Sequence, residues 1–293
     1  MAVLIDSKTH VVVQGITGRQ GSFHAKLMKQ YGTKIVAGTS PGKGGREVWD
    51  IPVYDSMEEA MSKHDADASI IYVPAPSALD AGLEALRAGI RLVVIITEGM
   101  PPLDTMKLIA SARRTGAHLI GPNCPGVISP ALSKLGIMPA EAFSQGPVGV
   151  VCRSGTLTYE IAWSMTQASI GQSTVVGLGG DPVLGTDFVD ALSLMREDQD
   201  TEAVVLVGEI GGEEEEKCAE FVGDTSFEKP IVAYVAGRTA PPERRMGHAG
   251  AIVSGGRGDY ASKVSALAAA GVRVVDRPSQ VAGALREAMH GRP

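Results

Sequence analysis

Cysteine and aromatic residues are scarce in this sequence. Aromatic residues make up 4% of the 293 residues, and only three cysteines occur, Cys124, Cys152 and Cys218. Three widely spaced thiols match neither a disulfide framework nor a zinc-ligand pattern, so no metal site is expected from them. A chain without disulfides is typical of a reducing compartment, which favours a cytoplasmic location.

Basic blocks, targeting segments and long apolar runs are missing as well. The formal net charge is −6 and no block of lysine or arginine occurs, so no nucleic-acid partner is expected. The N-terminus carries Asp6 and no basic region followed by an apolar run, so no targeting segment is predicted. Proline, glycine or polar residues break the uncharged stretches 115–133 and 161–180, so neither is predicted to span a membrane.

A regular alternation of β-branched apolar runs and helical patterns dominates the sequence instead. Continuous apolar runs such as 92–96 are typical of strands buried on both faces. The predicted strands lie near 10–14, 34–38, 68–73, 91–96, 117–120, 148–152, 174–178, 203–207, 231–235 and 272–275. The predicted helices lie near 21–31, 56–63, 77–88, 103–115, 156–169, 186–197, 213–222, 260–270 and 279–289. This alternation predicts an α/β fold with doubly wound parallel sheets.

Glycine and serine mark several predicted helix boundaries. A glycine at 89, 116 and 271 separates a helix from the strand that follows, which predicts a left-handed backbone there. Ser56, with Glu59 three residues later, predicts a capping box, and Ser77 is predicted to be an N-cap.

Prolines and glycines interrupt the alternation between residues 121 and 147. The chain is long enough for two domains, because a typical domain has about 100 to 200 residues. We therefore predict a first domain over 1–127, a linker over 128–146 that could also carry site residues, and a second domain over 147–293.

Glycine-rich turns follow the first two predicted strands. The first has the spacing G-x-x-G-x-x-G over 15–21 and opens a helix, so its N–H groups, with Thr17, Arg19 and Gln20, favour a phosphate group. The second places Lys43 among glycines at the carboxyl end of a strand. Further turns at 73–76 and 96–99 end strands at the same edge. Together, the four turns predict one extended, phosphorylated ligand that carries adenine. A glycine-rich turn without a ligand is the alternative.

A histidine between two glycines is the most reactive feature of the second half. An imidazole held at His248, between Gly247 and Gly250, can be protonated, bind metal or act as a nucleophile. Glu209 ends a predicted strand on the same edge and can accept the Nδ1–H of His248, leaving Nε2 free to attack. The alternatives are a loop histidine without chemistry and an acid at a helix entry.

A second anion site is predicted where Ser154 and Thr156 open a helix directly after a strand. The local motif is not the G-x-S-x-G elbow of hydrolases, so a serine triad is disfavoured. The first turn also departs from the dinucleotide spacing, and no acid ends the second strand, which disfavours a dehydrogenase that uses NAD.

Nine motifs, taken in order, resemble those of the α subunits of succinate–CoA ligases, also called succinyl-CoA synthetases. The resemblance runs from about residue 4 to about residue 285. The motifs occupy 14–21, 41–45, 72–76, 96–99, 121–126, 154–160, 179–182, 208–212 and 247–251.

The resemblance implies a Rossmann-like CoA-binding domain followed by a flavodoxin-like ligase domain, with His248 phosphorylated during the reaction. The residues expected to hold CoA are Thr17, Gly18, Arg19, Gln20, Lys43, Ile96, Thr97 and Glu98. The residues expected near succinate or phosphate are Tyr159, Ser154, Gly155, Thr156 and Asn123. A separate β subunit, in an αβ or α2β2 assembly, is expected to supply Mg²⁺ and the ATP or GTP site.

Two departures from the family pattern concern the CoA turns. Arg19 stands where many relatives have a small polar residue, and Thr39 and Ser40 replace a more apolar pair. These changes could alter CoA contacts without changing the reaction class. The alternatives to a succinate enzyme are an α subunit for malate or another dicarboxylate, and a CoA-binding protein without catalysis.

Overall fold

The structure is a computed structural model that describes residues 3–241, 243–253 and 258–290. These residues form two compact units. One unit contains 4–138 with 183–186, and the other contains residue 3, 139–182 and the described residues from 187 onward. The first unit therefore includes residues 128–138, which the sequence assigns to a linker.

The first unit contains a seven-stranded sheet covered by helices and, outside that sheet, an antiparallel pair formed by its last two strands. Its strands are β1 (His10–Gln14), β2 (Lys34–Thr39), β3 (Glu47–Val48), β4 (Ile51–Tyr54), β5 (Ala68–Ile71), β6 (Leu92–Ile95), β7 (His118–Ile120), β8 (Gly126–Ser129) and β9 (Ser133–Gly136). Its helices are α1 (Arg19–Tyr31), α2 (Met57–Met61), α3 (Ala75–Arg87) and α4 (Pro102–Thr115).

The strand order of this sheet is β3-β4-β2-β1-β5-β6-β7, and only the β3–β4 pair is antiparallel. Counted along the chain, the parallel strands have the order 3-2-1-4-5-6, which is that of a Rossmann fold. Val11, Val12 and Val13 of the central strand are fully buried, because helices cover both faces. The order reverses between β1 and β5, where ligands of open α/β sheets bind.

The second unit is another parallel sheet. Its strands are β10 (Gln145–Cys152), β11 (Gln172–Gly177), β12 (Ala203–Glu209), β13 (Ile231–Ala236) and β14 (Arg273–Val275). Its helices are α5 (Gly155–Gln167), α6 (Phe188–Glu197), α7 (Glu214–Asp224), α8 (Tyr260–Ala269) and α9 (Val281–His290). Within the unit the order is β14-β13-β12-β10-β11, which is the flavodoxin-like order 2-1-3-4-5. The predicted α/β class is confirmed in both units.

Helix boundaries agree with the glycine signals and differ at one serine. Gly89, Gly116 and Gly271 have positive φ, as predicted. Ser56 accepts a hydrogen bond from the N–H of Glu59, so it caps α2, but the predicted capping box is incomplete because the Glu59 carboxylate accepts from the N–H of Asp55. The prediction that Ser77 is an N-cap is wrong, since α3 already begins at Ala75. Prolines on both sides of Ala75 set helical φ early and need no donor in the first turn.

Two hairpins were not predicted. β3 and β4 are joined by Trp49 and Asp50, which both have positive φ. β8 and β9 pair in antiparallel fashion inside the glycine- and proline-rich segment. Thr33 holds this second hairpin, because its hydroxyl donates to the carbonyl of Lys134 and accepts from the N–H of Lys134. Such short strands carry too few residues for an alternating pattern to show.

No helix in the described part of the chain is both long and apolar enough to cross a membrane.

Candidate active site

The β1–α1 turn brings helix α1 very close to the strand that precedes it. Gly15 has a φ of +79°, and a Cβ at Gly21 would lie 2.2 Å from the carbonyl oxygen of Gly15. Only glycine fits at Gly21 without moving this backbone. No side chain caps the N-terminus of α1, so the N–H groups of its first turn remain available to an anion.

Side-chain hydrogen bonds join the first two turns. The Thr17 hydroxyl donates to the Ser40 hydroxyl at 2.9 Å, and the Lys43 ammonium donates to the Thr17 hydroxyl at 3.2 Å. Asp55 fixes the Lys43 loop by accepting the N–H groups of Lys43 and Gly44, each at 2.8 Å. A threonine, a serine and a lysine therefore converge at the carboxyl edge of the first sheet.

The turns after β5 and β6 are joined in a similar way. The Thr97 hydroxyl donates to the carbonyl of Val73 at 2.7 Å, and the N–H of Asn123 donates to the carbonyl of Thr97 at 2.9 Å. Gly18, Arg19, Gln20, Lys43 and Glu98 are exposed, whereas Thr17, Ile96, Thr97 and Asn123 are half-buried. The predicted CoA residues thus lie at one edge of one sheet, and Asn123 lies with them.

His248 lies in a tight loop between β13 and α8. The N–H of Met246 donates to the carbonyl of Ala251, and the N–H of Ala251 donates to the carbonyl of His248. Gly247 allows this reversal with a φ of +81°. The loop leaves the His248 side chain 32% exposed, so the ring is held in place and remains accessible.

Glu209 is the closest charged partner of His248. Its Oε2 lies 2.7 Å from Nδ1 of the imidazole, and its carboxylate is nearly buried at the end of β12. This hydrogen bond is the main reason that the pKa of His248 is raised above its ordinary value, with partial burial of the ring acting in the opposite direction. With a proton on Nδ1, the lone pair of the neutral ring is on Nε2.

Arg153 contacts both Glu209 and the turn that follows β11. Its buried guanidinium donates to the carbonyls of Gly179 and Asp181, at 3.3 and 2.8 Å. Its Nε also lies 3.6 Å from Oε1 of Glu209. Residue 153 therefore links the turns that follow β10, β11 and β12.

Two glycines, which have no side chain, leave the space that the histidine loop occupies. A Cβ at Gly180 would lie 2.6 to 3.0 Å from atoms of the His248 ring. A Cβ at Gly211 would lie 2.1 Å from the carbonyl oxygen of Gly250. The N–H of Gly250 in turn donates to the carbonyl of Gly180 at 3.3 Å. Both turns are therefore shaped to receive this loop.

The predicted anion site at α5 directly follows Arg153. Ser154 is the N-cap, and its hydroxyl accepts from the N–H of Leu157 at 3.5 Å. Gly155 begins the helix and Thr156 is exposed beside it. Tyr159 lies in the next turn and packs edge-on against Phe143. β10 and β12 are neighbours at the point where the strand order reverses, so α5 and Glu209 flank the crevice of this sheet.

For four residues of these sites the sequence predicted no positioning role, although Ser40 is a departure from the family pattern and Gly180 lies in the motif 179–182. Ser40, Asp55, Arg153 and Gly180 position the others through contacts between turns that are distant in the chain. Arg153 was the most accessible to prediction, because an arginine directly after a buried strand must find partners for its charge. Among the residues that the structure describes, no group of three or more His, Cys, Asp or Glu side chains could hold a metal ion.

Two family models match the chain. The CoA binding domain model matches residues 6–99, and the CoA-ligase model matches residues 151–273. The first match contains the turns around Thr17, Lys43 and Thr97. The second contains Ser154, Glu209 and His248.

Curated relatives match over nearly the full length. Subunit alpha 2 of succinate–CoA ligase (ADP-forming) from Archaeoglobus fulgidus is 58% identical, with 98% of this chain and 99% of the relative covered. The corresponding alpha subunit from Methanothermobacter thermautotrophicus is 54% identical, with 97% and 96% covered. The alpha subunit from Staphylococcus aureus is 50% identical, with 98% and 95% covered.

Solved structures with this fold include larger proteins. ATP citrate lyase from Methanosaeta concilii, in complex with (3S)-citryl-CoA, has a TM-score of 0.91 at 24% identity, covering 99% of this chain and 51% of that one. A dinucleotide-forming acetyl-coenzyme A synthetase from Ca. Korarchaeum cryptofilum has a TM-score of 0.73 at 22% identity, covering 92% and 58%. These likenesses concern the fold alone.

Proposed function

Because this chain belongs to the α-subunit family of ADP-forming succinate–CoA ligases, we propose that it forms succinyl-CoA reversibly from succinate, CoA and a nucleoside triphosphate, with His248 as the phosphate carrier. The enzyme class is that of acid–thiol ligases. The names of the relatives favour ATP as the nucleotide. The observation that carries the proposal is the 2.7 Å contact between Glu209 and Nδ1 of His248.

The phosphoryl group moves twice in this proposal. Nε2 of His248 attacks the terminal phosphorus of the nucleotide, so an N–P bond forms and the P–O bond to the nucleoside diphosphate breaks. A carboxylate oxygen of succinate then takes the phosphoryl group from Nε2, which gives succinyl phosphate. The CoA thiolate attacks the acyl carbon and inorganic phosphate leaves. Phosphorylation is needed because a free carboxylate is a poor electrophile.

Glu209 is proposed to act on the first step by stabilising charge. The imidazole becomes positively charged when Nε2 bonds to phosphorus, and a carboxylate at Nδ1 stabilises that charge. The raised pKa of His248 reflects the same stabilisation, with the hydrogen bond that the ring donates to Glu209 as its main cause. The N-terminus of α5, capped by Ser154, is the proposed site for the phosphate oxygens, with Gly155 and Thr156.

CoA is proposed to bind at the edge of the first sheet. The exposed Lys43 ammonium and the first-turn N–H groups of α1 suit its phosphates. The residues that we assign to CoA are Thr17, Gly18, Arg19, Gln20, Lys43, Ile96, Thr97 and Glu98. Tyr159 and Asn123 are assigned to the succinate or phosphate site.

Mg²⁺ and the nucleotide are proposed to bind to a separate β subunit. The alpha-subunit names of the relatives support a partner. Copurification of a chain of about 40 kDa, the size of two to three domains, tests this partner. Sedimentation of the complex then distinguishes αβ from α2β2. We also propose a cytoplasmic location, supported by the three cysteines, which are buried thiols.

A phosphorylation assay tests the central proposal. The complex with the β partner is incubated with ATP labelled with ³²P in the γ position, and acid-labile label on this chain is counted. His248→Asn is expected to abolish the label while CoA affinity, measured by calorimetry, is unchanged. His64→Asn is the matched control, because His64 is also half-buried and hydrogen-bonded, to Tyr54. Label that persists in His248→Asn contradicts the phosphate-carrier role.

A further inference from the structure

A completely buried ion pair lies beside the proposed phosphate-transfer site. Lys263 of α8 and Glu215 of α7 are in contact through Nζ and Oε2, and both side chains are 0% exposed. The Lys263 ammonium also lies 3.1 Å from Oε2 of Glu216. Burying two charges is costly, and an apolar pair of the same size often serves stability as well or better. The pair therefore calls for an explanation other than stability.

The second oxygen of Glu215 holds the main chain of Glu209. The N–H of Glu209 donates to Oε1 of Glu215 at 2.9 Å. On the side facing β10, the ladder of β12 ends early, since the last paired residue of β10 is Cys152, opposite Val207. The N–H of Glu209 lies beyond that last pair. The Glu215 carboxylate thus replaces the missing strand as the acceptor.

The surroundings are shaped to admit this carboxylate. A Cβ at Gly208 would lie 2.4 Å from Oε1 of Glu215, so the residue before Glu209 must lack a side chain. Burial raises the pKa of Glu215, and the Lys263 ammonium is the main influence that lowers it. Lys263 therefore favours the ionised carboxylate, which is the stronger acceptor for an N–H group.

The same pair reaches the segment that carries His248. This segment lies between β13 and α8, and Lys263 is in the first turn of α8 after its N-cap, Asp259. Just before α8, the carbonyl of Gly258 accepts from the N–H of Gly211. One ion pair thus ties the end of β12, which carries Glu209, to the helix that ends the histidine segment.

We propose that Glu215 and Lys263 are positioning residues, which fix the main chain at Glu209 so that its carboxylate meets Nδ1 of His248. The inference about catalysis rests on the proposed phosphate-carrier function, whereas the inference about geometry does not. Glu215 and Lys263 contact neither substrate nor the imidazole, and act only through Glu209.

Two double variants distinguish the hydrogen-bond acceptor at position 215 from the charges of the ion pair. Glu215→Met with Lys263→Met removes both charges and the acceptor, and similar apolar replacements of buried pairs often keep the fold. Glu215→Gln with Lys263→Met also removes both charges but keeps an oxygen at position 215 that can accept from the N–H of Glu209. Lys229→Met is the control. Lys229 lies just before β13, at the opposite end of the strands from Glu209, and its ammonium donates to the carbonyls of Met195 and Asp198.

The first readout is the pKa of the His248 imidazole, measured by NMR on the full chain and assigned with His248→Asn. The charged groups that influence this ring are Glu209, Arg153 and Asp181. The Met/Met variant is expected to lower the pKa towards that of a free histidine. The Gln/Met variant and Lys229→Met are expected to keep the raised value. A merely structural role would lower the melting temperature without moving this pKa.

The second readout is the rate of phosphorylation in the complex with the β partner. The Met/Met variant is expected to be slower by about 10- to 100-fold, because small misplacements of a reacting group have effects of this size. The Gln/Met variant is expected to stay within about threefold of wild type. If the wild-type complex takes up no phosphate, the proposed function fails, and the pKa readout still tests the positioning.

Several results would overturn the proposal. One is a folded Met/Met variant with the wild-type pKa of His248. Another is a Gln/Met variant as impaired as Met/Met. A third measurement needs no variant: in the wild-type chain, the amide proton of Glu209 should be protected from hydrogen exchange. An amide at Glu209 that exchanges as fast as those of exposed loops also contradicts the proposal, whatever the variants do.

Discussion

At the scale of single residues, one hydrogen bond favours a single tautomer of the neutral His248 ring. Glu209 approaches Nδ1, so Nε2 carries the lone pair of the neutral ring. The carboxylate also stabilises positive charge on the ring. This stabilisation favours protonation at low pH and, in the proposed mechanism, the transfer of phosphate to Nε2 at neutral pH.

Glu209→Gln is expected to slow phosphorylation of His248 by about 100-fold, because an amide at the same place cannot neutralise the charge that forms on the ring. CoA affinity is expected to stay unchanged, since the CoA residues lie in the other unit. Rapid-quench measurements with labelled ATP give the rate. Glu220→Gln, an exposed acid on α7, is the control, and equal rates in the two variants would remove Glu209 from the mechanism.

The same contact predicts how stability depends on pH. The pKa of His248 is higher in the folded chain than in the unfolded chain, chiefly through its hydrogen bond with Glu209. Its contribution to stability is therefore full below about pH 6.5, the ordinary pKa of histidine. It is lost as the pH rises through the raised folded pKa.

We accordingly expect the stability difference between wild type and Glu209→Gln to be largest in mild acid and to shrink as the pH rises. Urea unfolding at a series of pH values measures it. His248→Asn should remove the pH-dependent part of the difference. A difference that grows with pH would show that the hydrogen bond does not favour the protonated ring.

Lys43→Ala is expected to weaken CoA binding roughly tenfold, as the loss of one charge contact to a phosphate would do. The Lys43 ammonium reaches the Thr17 hydroxyl across two turns of the first unit. Calorimetry with CoA measures the affinity. Lys63→Ala is the matched control, since Lys63 is an exposed lysine at the end of α2 in the same unit. Equal affinity in both variants would contradict the CoA assignment.

At the scale of elements, the turns after parallel strands provide the chemistry and the glycines in them provide the space. Arg153, Gly180 and Glu209 follow or end three adjacent strands of the second sheet, β10, β11 and β12. Parallel strands bring these positions to one edge even though they are far apart in the chain. A side chain at Gly180 would occupy the space that the imidazole fills.

Gly180→Ala is expected to displace the His248 ring and reduce phosphorylation strongly, because the added Cβ would lie 2.6 Å from a ring atom. Overpacking of this kind costs about 1 to 3 kcal/mol of stability. Gly283→Ala in α9 is the control: its Cβ would meet nothing within 4 Å, and it should stabilise the helix by about 0.5 to 1 kcal/mol. Thermal unfolding and the phosphorylation assay together check both results. Normal phosphorylation in Gly180→Ala would show that the ring tolerates the methyl group.

At the scale of the whole molecule, the two proposed activities are divided between two units. The turns that we assign to CoA belong to the unit of residues 4–138, and His248, Glu209 and α5 belong to the other. In the proposed mechanism, transfer of phosphate from the nucleotide to His248 does not involve the CoA thiol. The two activities should therefore be separable by mutation.

We expect Lys43→Ala to be labelled by ATP as fast as wild type and yet to show a raised KM for CoA in the full reaction. His248→Asn should show the reverse, with normal CoA affinity and no label. Single-turnover labelling and steady-state kinetics of the complex with the β partner measure the two effects. This division would be wrong if Lys43→Ala were labelled slowly although its complex with the β partner still bound ATP normally.

Most of the fold was predictable, because continuous apolar runs mark the buried parallel strands and helical apolar patterns mark most of the helices between them. Runs such as the valines of β1 are apolar at every position, which only a strand buried on both faces requires. The β3–β4 and β8–β9 hairpins were missed because their short strands are interrupted by glycine, proline or charged residues and so show no continuous apolar run. Ser77 was misassigned because Pro74 and Pro76, and not a serine hydroxyl, start α3.

The candidate site was predictable only in part, for a related reason. His248, Glu209 and Lys43 stand out in the sequence because charged or reactive groups lie beside glycines in turns. Arg153 and Glu215 do not stand out, because their partners come from other turns and helices. The opening at Gly208 that admits Glu215 is equally invisible before the fold is known.

The sequence by itself determined the α/β class, the edge of each sheet where the site residues gather, and the family to which the chain belongs, since these depend on local periods and on the order of motifs. Only the tertiary structure decided which groups meet: Glu209 with Nδ1 of His248, Arg153 with Glu209, and Lys263 with Glu215. These contacts join residues 39 to 56 positions apart along the chain, and such distances are set by the packing of strands and helices rather than by any local pattern.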